Sequence, residues 1–300
     1  MVEENNCYYI GSVGFRKSCD LFSLNESDNV NEYNFDKLKD NDILYIKTDA
    51  IYNFSKVLNN INNIKCRFIL VSGCGDYTIP YDRFDNINEF IYFISNDKII
   101  HWFAQNCVYK HPKITNLPIG LDYHTLNGNQ SFYWGKNCKP IIQENEIINI
   151  KNMSKPFYER IYKCYSTFHF SYSGYKYEKD RIDALNNIPH DIIYFEPTLI
   201  PRKETWEHQI NYAFVISPHG NGLDCHRTWE ALVLGCIPIV KKSHIDALYK
   251  DLPVLILNNW CDLNQEILNN TIEEFKNREF NYDKLTLKYW INKIKEYKNK

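Results

Sequence analysis

From Phe214 to Val240 the chain reads as strand, glycine loop, helix, glycine stop and strand. Phe214-Val215-Ile216 and Ile237-Pro238-Ile239-Val240 are the apolar runs, Gly220 and Gly222 open the loop, and Gly235 ends the helical stretch from Leu223 to Leu234. A strand that reaches the next strand through a helix runs parallel to it, so this one segment argues for an α/β fold with a parallel sheet.

The same alternation recurs along the chain. Ile43-Leu44-Tyr45-Ile46 and Phe68-Ile69-Leu70-Val71 read as strands, with a helix from about Ala50 to Asn60 between them. Asp97 to Gln105 reads as helical, and Lys113 to Ile119 as a strand that ends at Gly120. A polar, Asn-rich passage from Asn127 to Asn152 reads as the connection between domains. Beyond it, Thr167 to Phe170, Asp191 to Phe195, Ala213 to Ile216, Ile237 to Val240 and Val254 to Leu257 read as strands, and Glu178 to Asn186 as a helix. Leu287, Trp290, Ile291, Ile294 and Tyr297 fall at helical spacing among lysines, which predicts a terminal amphipathic helix packed on the surface. The expectation is two doubly wound, Rossmann-like domains, residues 1–155 and 156–300, facing each other across a cleft that binds a ligand. The terminal helix is assigned to the second.

At 300 residues, 44% of them hydrophobic, the chain has enough apolar mass for two cores. The 35 basic and 37 acidic residues leave a formal charge of -2, so nothing attracts nucleic acid or anionic membrane in general, and an anionic ligand must be captured locally. The 23 tyrosines and 17 phenylalanines lack the basic stripe that base stacking needs. None of the ten cysteines falls in a C-x-x-C or zinc-finger spacing, which favours reduced thiols. The start, MVEENN, has no apolar leader, and no apolar run is long enough to span a membrane. The reading is a soluble cytoplasmic chain, or a lumenal one if it is a trimmed piece. The load of Asn, Ile, Lys and Tyr suggests an A+T-rich coding genome such as that of some protists or large DNA viruses.

Chemistry concentrates between Ser217 and Glu230. Gly220 and Gly222 remove side chains where the backbone turns, so that an anion can approach the amides of the loop (Ser217, His219, Gly220, Asn221, Gly222) and of the helix start. Asp224 or Asn221 is expected to cap the helix, with Gly235 as its C-terminal stop. Arg227 and Glu230, three residues apart, share a side of the helix. Arg227 in the first turn suits a diphosphate, and the carboxylate of Glu230 one turn deeper suits the vicinal hydroxyls of a ribose or hexose. An exposed i,i+3 ion pair is the plainer account of the two residues, but it leaves the glycine loop unexplained. Neither the G-x-G-x-x-G of a dinucleotide site nor a P-loop is present, since Cys225 stands where a third glycine belongs.

With Pro218 and Gly220, then Arg227, Glu230, Ala231 and Leu232, then Gly235, Cys236 and Pro238, this stretch resembles the nucleotide-sugar-binding segment of exostosin-like glycosyltransferases. The match is specific over about this one unit. The resemblance implies a GT-B architecture of two Rossmann-like domains, usually a UDP-sugar donor, and a diphosphate bound without metal. It therefore implies a monosaccharide transferase acting on a hydroxyl of a glycan or protein, with no further cofactor. No membrane anchor or stem of the kind that the family's Golgi members carry is expected within these 300 residues. A sugar- or nucleotide-binding module without catalysis is the non-enzymatic alternative, and a nucleotide-sugar-modifying enzyme the other, although the latter normally carries a nicotinamide fingerprint.

Several further residues compete for roles. Ser171, Ser173 and Gly174, with Arg181 in the next helix, sit where they would support the donor phosphates, and turn chemistry plus a surface arginine explains them almost as well. Inverting transfer needs a base for the acceptor hydroxyl. Asp76, at the end of the Ser72-Gly73-Cys74-Gly75-Asp76 turn that follows a strand, is the first candidate, although a turn or N-cap aspartate is the plainer account of it. Asp122 is the second and His124 the third, both just beyond Gly120. His101, Trp102 and Asn106 are placed on one helix, with Trp102 as a core residue. His219, Cys225 and His226 match no ligand pattern, and no metal site is expected.

Overall fold

A computed structural model describes residues 4–23, 29–58, 64–128, 134–168 and 176–299. The first half builds a four-stranded parallel sheet in the order β1-β2-β3-β4. Its strands are β1 (Asp42–Tyr45), β2 (Phe68–Ser72), β3 (Ile99–Gln105) and β4 (Ile114–Leu117). The second half builds a five-stranded parallel sheet in the order β6-β5-β7-β8-β9. These are β5 (Ile161–Ser166), β6 (Ile193–Phe195), β7 (Tyr212–Ile216), β8 (Ile237–Lys241) and β9 (Leu255–Leu257). Helices α1 (Ser12–Lys17), α2 (Ile51–Val57), α3 (Ile87–Ile94), α4 (His124–Asn127) and α5 (Pro140–Met153) belong to the first half. They are followed by α6 (Glu178–Asn187), α7 (Arg202–Gln209), α8 (His226–Val233), α9 (Gln265–Phe275) and α10 (Leu287–Lys295). The architecture is the α/β one that the alternation predicts.

The strands read as unbroken apolar runs because both of their faces are covered. Leu44, Leu70, Trp102 and Ala104 point into one core with Phe54 of α2 and Phe90 and Phe93 of α3. Ile43, Tyr45, Ile69, Val71 and Phe103 point the other way. That second core continues through Ile147 and Ile150 of α5 and Trp290 and Ile294 of α10 to Val215 of β7, Val240 of β8 and Trp229 and Leu232 of α8. One hydrophobic core thus joins the two sheets. A third, with Cys164, Phe214, Ile237 and Trp260, lies under α9.

Three expectations are corrected. Asp97 to Gln105 is not helical: β3 sends alternate side chains into two cores, so no polar face betrays the two-residue period. Trp102 is fully buried and its Nε1 donates to Ser72 Oγ at 2.9 Å, which is the expected core role. His101 turns the other way, meeting Thr115 Oγ1 at 2.9 Å and stacking on Tyr297 at 3.9 Å. Second, half of the polar connector is the helix α5, whose Glu144 is buried and accepts from the amides of Tyr8 and Tyr9 and from the Tyr123 hydroxyl. Gln143 and Glu144 are interior hydrogen-bond partners, while the asparagines Asn145, Asn149 and Asn152 lie on the exposed face of the helix. Third, β5 begins at Ile161, ahead of the expected Thr167 to Phe170, and residues 169–170 lie outside the described ones.

The terminal helix forms as its spacing predicts, and it returns to the first half. The Leu287 amide donates to Tyr8 O at 3.0 Å, and Tyr9 bridges Thr286. No described helix is long and apolar enough to cross a membrane, and the ten cysteines are unbridged.

Gly120 fixes the exit from β4. Its φ is +73°, and a Cβ there would stand 2.3 Å from the Ile10 carbonyl oxygen, because Gly11 and Gly120 bridge in antiparallel fashion. Gly120→Ala should therefore destabilise the protein by more than about 2 kcal/mol, read as a lowered urea midpoint. An unchanged midpoint would show that the close approach is not needed.

Candidate functional site

The second sheet reverses its winding between β5 and β7, which makes the loops after those strands the rims of a topological switch-point crevice. The loop after β7 is the glycine loop. Ser217 and His219 are buried and shape it: Ser217 Oγ meets Thr228 Oγ1 at 2.8 Å, and His219 Nδ1 donates to Leu223 O at 2.8 Å. The His219 amide donates to Asp180 Oδ2 at 2.8 Å, and Gly220 N to Gly222 O at 3.0 Å. Arg181 on α6 donates through Nε to His219 O at 3.0 Å. A Cβ on Gly220 would lie 2.7 Å from Arg181 Nη2, so this glycine is what lets the guanidinium lie against the loop. Ser171, Ser173 and Gly174, after β5, lie outside the described residues.

The loop also touches the first half. Asn221 Nδ2 donates to Asp76 Oδ2 at 2.9 Å, and a Cβ on Gly222 would stand 2.8 Å from Asn106 Nδ2. Asn221 and Asp224 are not helix caps: the N-cap of α8 is Cys225, with no side-chain cap bond. Asp224 is buried instead, accepting from Ile119 N at 2.8 Å, Trp229 Nε1 at 2.9 Å and Tyr249 OH at 3.3 Å. Burial pushes its carboxyl up to about 6 against the pull of those donors. Gly235, at φ +72°, ends α8 as expected. Beside the Asp76 contact opens a cavity of about 660 Å³ lined by Lys47, Asp49, Asp76, Tyr77, Arg83 and Lys176 among others.

Arg227, in the first turn of α8, lies 6.0 Å from the Phe168 ring. Its Nη1 is buried and has no hydrogen-bond partner among the described residues. Burial lowers its pKa to about 10, with Arg181 adding to the effect and Cys225 and Glu230 opposing it. Glu230, one turn on, accepts from Trp206 Nε1 at 3.2 Å, and burial raises its pKa.

Asp122 and His124, at the exit from β4, come together with His226, the first residue of α8. His124 Nδ1 is 3.1 Å from Asp122 Oδ1, which also accepts from Thr125 N at 3.0 Å, and the rings of His124 and His226 are 5.4 Å apart. His226 Nδ1 donates to Gly120 O at 2.7 Å. Burial pushes the Asp122 carboxyl up, but His226, His124 and Arg202 outweigh it and hold it at about 2. Sequence reasoning set His226 aside with His219 and Cys225, and missed its true neighbours because they lie about a hundred residues away. The spacing of Asp122 and His124 was the only local signal.

No known family's model matches the chain, and no curated protein matches it. Among solved structures it is similar to an alpha1,3-fucosyltransferase with GDP-fucose, at 11% identity and a TM-score of 0.42, over 88% of this chain and 92% of that one. It is also similar to the N-terminal domain of trehalose-6-phosphate phosphatase from Candida albicans, at 11% identity and a TM-score of 0.37, over 87% of this chain and 68% of that one. At such TM-scores the case for function rests on the residues of the site.

A buried guanidinium with an unsatisfied edge is a cost to the fold. Arg227→Met, which keeps the stem and removes the charge, should leave the ligand-free protein as stable as before or more stable by about 1–3 kcal/mol. Denaturation curves of the two proteins decide; a clear loss of stability would mean that Arg227 serves the fold.

Proposed function

We propose that the chain is a glycosyltransferase that moves a monosaccharide from a nucleotide-sugar to a hydroxyl of a glycan or protein. The observation that carries the reading is Arg227: a cation held at a helix N-terminus, in a switch-point crevice, with a buried donor left unmet among the described residues. Such a group calls for an anion. Arg181, 2.7 Å from the virtual Cβ of Gly220, adds a second guanidinium, and two forks of donors suit a diphosphate. The amides of Asn221 and Gly222 extend the cradle, and Glu230 offers acceptors to sugar hydroxyls. A UDP-sugar is the donor we favour, from the motif resemblance.

In the reaction the acceptor oxygen attacks the anomeric carbon while its proton passes to a carboxylate, and the bond to the diphosphate breaks with its electrons on the departing oxygen. Arg227 and Arg181 stabilise that charge without calling on a metal ion. Asp76 is our choice for the base. It lines the cavity facing the donor loop and accepts from Asn221 of that loop, whereas Asp122 is engaged by Thr125, His124 and Arg202.

Arg227→Ala should weaken UDP binding by about 1.5–3 kcal/mol, seen by calorimetry with chelator present throughout. Full affinity in the variant, or binding that requires manganese, would remove the assignment. A thermal-shift panel of UDP-, GDP-, ADP- and CMP-sugars identifies the nucleotide, since the bound one stabilises by about 2.7 kcal/mol at a hundredfold excess over Kd. Asp76→Asn should retain UDP affinity and lose roughly 10²–10⁴-fold in transfer rate. A near-normal rate places the base elsewhere.

A further inference from the structure

We infer that Asp122, His124 and His226 form a binding site for a divalent transition cation that links the two halves of the molecule. One ligand atom from each of the three residues already lies within 4.8 Å of the other two. An ion about 2.1 Å from each, in tetrahedral geometry, holds such atoms about 3.4 Å apart, and the 3.1 Å between Asp122 Oδ1 and His124 Nδ1 is close to that spacing. His226 has the arrangement of a metal-binding imidazole: Nδ1 donates to the Gly120 carbonyl at 2.7 Å, which fixes the tautomer and leaves Nε2 with its lone pair. The positive φ of Gly120 belongs to the same turn that delivers Asp122 and His124.

Two imidazoles and one carboxylate select a borderline cation such as Zn²⁺, Co²⁺ or Fe²⁺ over Mg²⁺ or Ca²⁺. His124 is half exposed, so solvent reaches the fourth position. Because Asp122 and His124 leave β4 and His226 starts α8, the ion bridges the two sheets' own loops. The site is independent of the nucleotide-sugar reading, which uses none of the three side chains.

Titration of the purified protein with Co²⁺, followed by visible absorption, and with Zn²⁺, followed by calorimetry, tests this. One equivalent per chain is expected, with cobalt bands of nitrogen and oxygen ligation and no thiolate-to-cobalt charge transfer. His124→Ala, an exposed position, should weaken binding at least tenfold, and His226→Gln should abolish it, while circular dichroism shows both variants folded. Absence of saturable binding, a thiolate band marking capture by one of the ten cysteines, or undiminished affinity in the folded variants would overturn the site.

Discussion

Asp224 accepts hydrogen bonds from Ile119 beyond β4, from Trp229 on α8 and from Tyr249, while its own amide donates to Asn106 at 2.9 Å. Three pieces of chain from both halves converge on one buried carboxyl, and a fourth holds the amide of the same residue. The interior disfavours that charge, and only the full set of donors makes it tolerable. The start of α8, and with it the direction in which Arg227 and His226 point, depends on this knot. A cap of the ordinary kind would hold the helix alone; Asp224 holds the helix to the opposite sheet.

Around that knot the crevice is built from groups that the fold would be easier without. Arg227 keeps a donor unmet among the described residues, Glu230 is a half-buried acid whose pKa burial raises, and Gly220 and Gly222 give up side chains where a guanidinium and the opposite half press close. Buried Glu144, by contrast, is met by two amides and a hydroxyl. Unmet buried atoms also occur away from the crevice, at the Tyr45 hydroxyl and Ser23 Oγ among others, so what marks Arg227 is that its unmet donor belongs to a cation at a helix N-terminus.

The unit from β7 to β8 was legible because every local signal agreed: apolar runs, glycine loop, helical spacing, stop glycine. β3 was not, since both of its faces are buried, and α5 was not, since its run of asparagines imitates a loop. The helices α3 and α9 announce themselves through caps, Asn86 and Asn264, which a reading based on apolar periodicity passes over. Within the candidate site, Arg227 and Glu230 could be paired from their spacing. The meeting of His226 with Asp122 and His124, and the role of Asp224, required long-range proximity that a single sequence does not encode in any local pattern.

The core that runs from the first sheet through α5, α8 and α10 to the second has a bearing on motion. Domains that close on a substrate usually pivot on a thin waist, whereas these halves share a packed interior and a chain terminus that crosses back over the join. Wide opening would expose that interior to water. On the proposed function, the crevice is close to its working shape before anything enters it, and discrimination among substrates falls to the fit of a standing mould and to small loop adjustments rather than to the energy of a hinge snapping shut.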